Sequence, residues 1–287
     1  MNNPLENLIT EKGVVLADGA TGTTLFGMGL EAGAAPELWN VDSPEKIKKL
    51  HQGFVDAGSD VILTNSFGGT RHRLKLHDAQ DRVHELNKHA AIIAREIADN
   101  SGRTVIVAGS VGPTGELLAP LGELTADECE KSFVEQMEGL KEGGADVLWI
   151  ETMSSIEEIQ AAAKAAITVG MPYVVTASFD TAGRTMMGLS PSDIHNVFQE
   201  EQKPYAVGAN CGVGASDLLS SVLDMTSAKP EAVIVAKANC GIPTISGDEV
   251  IYTGTAELMH KYTKLAIDSG AKIIGGCCGT SCDHLAE

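Results

Sequence analysis

The stretch EGGADVLWIET, residues 142–152, carries the logic of the whole fold. Gly143 and Gly144 offer the left-handed backbone that stops a helix. The apolar run Val147 to Ile150 that follows has the composition of a buried strand, and it ends on the polar pair Glu151 and Thr152. The same helix-stop phrase recurs as DAGSD from Asp56 and DSGAK from Asp268, each time directly before an apolar run. The phrase therefore marks strand starts, and the opposite strand ends can be located from sequence.

Working outward, eight such runs appear: VVLAD, VILTNSF, TVIVAGS, VLWIET, YVVTASF, YAVGANC, AVIVAKAN and KIIGGCC. They recur about every 30 residues, the length of a strand, a crossover helix and two loops. Helical spacing fills the intervals, as in SPEKIKKLHQGFVDAGS from Ser43, ADECEKSFVEQMEGLKEGG from Ala126 and TAELMHKYTKLAIDSG from Thr255. Continuous apolar strands require a parallel sheet covered on its outer face, and eight repeats predict closure into a (β/α)8 TIM barrel, class α/β. An open doubly wound sheet is the alternative. Barrels of ~250 residues are commonly one domain, so residues 1–287 are expected to form a single unit. Only TSCDHLAE follows the eighth strand, which predicts a short or incomplete final helix. Long loops at 26–42 and 112–125 are placed to cover the barrel mouth.

The strand ends collect the unusual residues: Asp18-Gly19-Ala20, Thr64 to Phe67, Gly109 to Pro113, Glu151-Thr152, Asn210-Cys211-Gly212, Lys237 to Cys240 and Gly275 to Gly279. Active sites of β/α barrels form where these ends meet. Composition narrows the chemistry. A net charge of −18, from 39 acidic and 21 basic residues, argues against nucleic acid and anionic membranes as partners. The start, MNNPLENLITEKG, lacks the basic and apolar regions of a signal peptide, and no apolar run approaches the ~18 residues of a membrane span. A cytoplasmic address is expected. There the six cysteines read as thiols, metal ligands or reactive groups, not as a disulfide framework.

Vicinal Cys277 and Cys278 lie between glycines, and Cys211 sits in a similar glycine-rich strand end. Three thiolates would leave one position of a tetrahedral zinc free for a substrate thiol. Buried structural cysteines are the plain alternative. A redox pair is a third, disfavoured because adjacent cysteines form a strained disulfide.

At these residues the chain resembles the homocysteine S-methyltransferase family, which includes betaine-homocysteine methyltransferases and the homocysteine domain of cobalamin-dependent methionine synthase. The markers are DGATGT from Asp18, LTNSFGGT from Leu63, GSVGPTGE from Gly109, IETM from Ile150, GANCG from Gly208, KANCG from Lys237 and GGCCGT from Gly275. The resemblance implies Zn2+ bound by Cys211, Cys277 and Cys278, homocysteine as substrate and methionine as product. It implies that Asp18 and Glu151 receive the homocysteine ammonium, with Gly19, Ala20 and Ser66 completing the substrate site. Without it, Asp18 reads as a helix cap and Glu151 as half of a structural ion pair. Asn239 matches a position that occupies the fourth site on zinc until substrate arrives. The family's usual Lys-Pro-Asn-Ala-Gly is altered here, with Ala238 and Cys240 in place of Pro and Ala. Cys240 then reads as a core thiol or an extra ligand.

The methyl donor is the open element. Trp39 matches the tryptophan that faces the trimethylammonium group in betaine enzymes, and Phe67 could add a second wall. The tyrosines of the animal enzymes fall on Gly68 and Thr152, so a full aromatic cage is absent. Betaine or a related methylated onium compound is the expected donor. A methylcorrinoid protein is the alternative, and a non-catalytic zinc- or thiol-binding barrel is the reading from another class. The oligomeric state is open, a homo-oligomer included.

Overall fold

The computed structural model describes residues 3–212, 214–246 and 249–287. In chain order, α1 (Pro4–Lys12) precedes β1 (Val15–Leu16), and α2 (Thr21–Gly27), α3 (Trp39–Asp42) and α4 (Pro44–Asp56) lead to β2 (Val61–Leu63). Next come α5 (Arg71–Leu74), α6 (Val83–Asp99), β3 (Ile106–Val111), α7 (Ala126–Glu142), β4 (Val147–Met153), α8 (Ile156–Val169) and β5 (Tyr173–Ala177). The remainder is β6 (Ala206–Cys211), α9 (Ala215–Ala228), β7 (Ile234–Ala238), β8 (Pro243–Ser246), β9 (Glu249–Tyr252), α10 (Ala256–Asp268), β10 (Ala271–Gly276) and α11 (Cys282–Ala286).

Eight strands form one parallel sheet in the order β1-β10-β7-β6-β5-β4-β3-β2. A parallel bridge between Ala17 and Val61, with the Asp60 amide donating to the Leu16 carbonyl at 2.6 Å, brings β1 alongside β2 and completes the circuit. The (β/α)8 barrel expected from the repeats is what the chain forms. The helix-stop phrases act as read: Gly58, Gly144 and Gly270 stand at φ of 102°, 97° and 100°, where a side chain would be strained. α7 starts equally locally, on a capping box in which Thr125 and Glu128 satisfy each other's backbone amides.

Period-two alternation distributes each strand between two apolar layers. Inward residues from the strand starts, among them Val15, Val61, Ile106, Val147, Val174 and Val235, pack around Trp149 with Leu5, Leu8 and Ile9 of α1. α1 thus plugs the bottom of the barrel. Outward residues meet the helices: Ile62 and Val107 pack with Ile47, Leu50 and Phe54 of α4, and Leu148 and Ile150 with Phe133 and Met137 of α7. Each such side chain contributes roughly 1.5–3 kcal/mol by leaving water.

Two departures from simple alternation matter. Between β5 and β6 the described residues hold only 3-10 turns, at Pro191–Asn196 and Glu200–Gln202. Gly183 and Gly188, at φ of 75° and 91°, interrupt this segment, and Leu189, Ile194, Val197 and Phe198 fill the space a helix would occupy. The β7–α10 connection carries an antiparallel hairpin, β8 paired with β9, that periodicity alone did not announce. The final helix, α11, is short as expected, and Cys282 and Leu285 pack it against the α4 side of the barrel. No helix among the described residues is long and apolar enough to cross a membrane.

Candidate active site

Inside the barrel, the inward positions change character toward the carboxyl ends of the strands. β3 goes from Ile106 and Ala108 to Ser110, β4 from Val147 and Trp149 to Glu151, and β7 from Val235 to Lys237. All three polar residues are buried, so each needs an internal partner.

Asp18 is fully buried; one carboxylate oxygen takes the Lys237 ammonium at 2.7 Å and the other the Leu63 amide at 2.7 Å. Glu151 accepts from the Ser110 hydroxyl at 2.5 Å. Burial pushes both carboxyls above their usual range, while the charge of Lys237 pulls them back. Burial also works to discharge Lys237, but Asp18 and Glu151 outweigh it and hold the ammonium protonated. Lys237 lies 5.7 Å from the Trp149 ring, which floors this polar layer. One cation thus faces two carboxyl groups in this layer.

Ser66 is fully buried and its hydroxyl donates to the Ser110 carbonyl at 2.7 Å, with Thr64 Oγ1 2.6 Å away. It supports Ser110, and through it Glu151. Gly19 is enforced by close approach, since a Cβ there would lie 2.4 Å from the Thr280 carbonyl oxygen. That same oxygen accepts from the Ala20 amide at 2.9 Å, so the Ala20 N–H is engaged within the loop.

Cys211 ends β6 at φ 62°, and Cys277 and Cys278 follow β10; their three sulfurs lie within 4.8 Å of one another and none is in a disulfide. The Cys277 and Cys278 thiols hydrogen-bond Cys211 and pull it down to about 3, and the same sharing pushes both of them above the usual thiol range. A dication would favour the thiolate form of all three, and soft sulfur ligands suit zinc. Asn239 completes the case: its amide nitrogen donates to the Gly212 carbonyl at 2.7 Å, while its buried Oδ1 has no partner. Three sulfurs and an orphaned oxygen match a tetrahedral donor set. Cys240 stands apart from the triad, buried in the outer apolar layer with its amide donating to the Cys278 carbonyl at 2.9 Å. Tyr252, brought in by the hairpin, packs over Gly279, next to Cys278.

Phe67 is exposed at the mouth, its ring accommodated by Gly112, where a Cβ would come within 2.6 Å. Trp39 is half-buried against the α4 layer, with the Lys46 ammonium 3.9 Å from its ring centroid. One face of that ring therefore already meets a cation. At Gly68 a side chain would strike the Glu37 carboxylate, which accepts the Gly68 amide at 2.6 Å, so this position has no room for an aromatic.

Lys237, Ser110 and Asn210 stood among the strand-end residues without an assigned role, and Tyr252 was not singled out. A usable signal existed for the first three, since polar residues at inward register in otherwise apolar strands demand partners. Tyr252 had none, because its place depends on how the hairpin folds back.

Comparison with known proteins agrees with this geometry. Residues 15–287 match the profile of the family described as homocysteine S-methyltransferase. The methionine synthase of Mycobacterium leprae is 28% identical over 294 residues, a match covering 96% of this chain and 24% of that protein. The chain thus spans about a quarter of that relative's length. Among solved structures, the oxidized form of the homocysteine methyltransferase MmuM from Escherichia coli superposes with a TM-score of 0.81 at 25% identity, covering 99% of this chain and 98% of that one. Its metallated form gives the same TM-score at 24% identity and the same coverage. From a profile match over nearly its whole length, the chain belongs to the homocysteine S-methyltransferase family.

Proposed function

We propose that this protein transfers a methyl group to the sulfur of homocysteine, forming methionine, at a zinc ion held by Cys211, Cys277 and Cys278. The observation that carries the reading is the triad of free thiols within 4.8 Å of one another, at the same strand ends as the buried Asp18, Glu151 and Lys237. Zinc bound there would lower the pKa of a coordinated thiol, providing a nucleophile at neutral pH.

The chain's own residues do the rest. Glu151, with Asp18 behind it, receives the homocysteine ammonium. Ser110 and Lys237 hold these carboxylates in place, and Ser66 holds Ser110. Asn239, whose buried Oδ1 has no partner, would offer a fourth donor beside the three sulfurs. The remaining requirement is alignment of sulfur, methyl and leaving group, for which positioning supplies most of the acceleration.

For the donor we favour betaine or a related methylated onium compound, with Phe67 and the face of Trp39 away from Lys46 as the aromatic contacts. The similarity to a quarter of a methionine synthase favours a second reading, in which a methylcorrinoid protein presents the methyl group.

The deciding experiment measures methionine formed from homocysteine by zinc-loaded protein, with betaine, a dimethylsulfonium compound and methylcobalamin supplied separately. Product with an onium compound is the expected result. Product only with methylcobalamin would transfer the donor role to a corrinoid, and no product with any donor would leave a binding protein in place of an enzyme.

A further inference from the structure

Among the described residues, four other than glycine have positive φ, and two of them, Thr152 and Cys211, end β4 and β6 at the barrel mouth. Thr152 is the unusual one. A β-branched residue at φ 61° is costly unless its surroundings enforce it. It lies where the β4–β5 register shifts, between Ile150 and Met153, and it directly follows Glu151.

One side chain enforces it. Asn210 Oδ1 accepts from the Thr152 amide at 2.9 Å and from the Thr176 hydroxyl at 2.6 Å. Its Nδ2 donates to Thr152 Oγ1 at 2.8 Å and reaches Cys277 Sγ at 3.9 Å. All four hydrogen-bonding capacities of the amide are engaged, and Asn210 is buried. The side chain thus crosses from β6 past β5 to the end of β4, and its remaining N–H points to a sulfur of the triad.

We propose that Asn210 is a positioning residue that couples the two halves of the site: it clamps Thr152, and so sets Glu151, while hydrogen-bonding the Cys277 sulfur. The inference rests on the homocysteine and zinc reading above. An N–H directed at a metal-bound thiolate withdraws charge from it, and outer-shell contacts of this kind tune both the metal and the orientation of its ligands. The clamp ties that tuning to the carboxylate that receives the substrate amine.

Cobalt(II) in place of zinc makes the coupling visible without any methyl donor. The sulfur-to-cobalt charge-transfer band reports the thiolates, and its response to added homocysteine gives the substrate affinity. Asn210→Asp keeps the size and both acceptor functions but loses both N–H groups. It should shift the band and weaken homocysteine binding, loss of an outer-shell contact costing roughly 10–100-fold in metal affinity or activity. Thr152→Val removes only the hydroxyl from the clamp, so it should weaken homocysteine while leaving the band in place. The coupling is overturned if Asn210→Asp changes one readout alone or neither, or if Thr152→Val binds homocysteine as the wild type does. Should Asn210→Asp fail to fold, Thr152→Val decides the matter. A wild-type protein with no band, or with no response to homocysteine, would instead overturn the functional reading itself.

Discussion

The two ends of the barrel are built from the same eight strands, yet they follow opposite rules. At the bottom, inward residues such as Val15, Val61 and Val147 meet Leu5 and Leu8 of α1 in an apolar cluster. At the mouth, four residues beyond Ile106, Val147 and Ala206 on β3, β4 and β6, the inward positions are Ser110, Glu151 and Asn210, each satisfied by a specific partner. The bottom holds the fold by burial, which tolerates changes of shape at modest cost. The mouth holds a constellation, in which losing one partner leaves another group unpaired in a low-dielectric interior. Strained backbone marks the same division, since Thr152 and Cys211 are both at mouth-side strand ends.

Substitutions at the two ends should therefore separate function from stability. The largest effect is expected for Cys278→Ala: bound zinc and methyl transfer should fall to background together, while thermal unfolding of the barrel changes little. Full turnover without zinc would sink the proposed mechanism. At the opposite end, Leu5→Ala should cost about 2–5 kcal/mol of stability, the range for truncating a buried leucine. Homocysteine affinity should be unchanged, and a parallel loss of affinity would show that the two ends are not independent.

His51 probes the outer layer between α4 and the strands. It is fully buried with neither ring nitrogen partnered, and burial lowers it from its ordinary 6.5 to about 4. The unfolded chain takes up this proton near 6.5, whereas the folded chain resists until about 4, so unfolding binds a proton between those values. Stability should therefore fall as the pH drops through that window, by as much as roughly 3 kcal/mol from this group. Urea unfolding of wild type and His51→Leu at pH 7, 5 and 4 tests it; the stability of wild type relative to the variant must fall on acidification. The smallest effect is expected for Trp39→Ala, which should raise the KM of an onium donor only about threefold, the worth of an exposed cation–π contact. If every donor's kinetics are unchanged, Trp39 serves only as packing for Lys46 and the loop.

Much of this division was legible before the structure. The glycines of EGGAD, DAGSD and DSGAK act at single residues, by permitting a left-handed turn, and so they located the strand starts without tertiary information. Continuous apolar runs likewise implied strands covered on both faces. The region after β5 was harder, because a helix there was replaced by 3-10 turns whose buried residues, Ile194 and Phe198, are held by contacts distant in sequence. The hairpin of β8 and β9 was missed for a similar reason: its strands are short and its position over Cys278 is set by long-range packing.

The site divides along the same line. Cys211, Cys277 and Cys278 were identifiable because thiols at glycine-rich strand ends are chemically conspicuous wherever the chain places them. Lys237 and Asn210 were visible as residues but silent as to role, since a buried lysine or asparagine acquires meaning only from its partner. Those partners, Asp18 and Thr152, come from other strands. Sequence alone determined the number and direction of the eight barrel strands and which residue types gather at their ends, because both follow from local backbone preference and continuous apolar runs. Tertiary structure alone decided which of those residues pair, because hydrogen bonds and ion pairs act over a few ångströms and only barrel closure brings the strand ends within that reach.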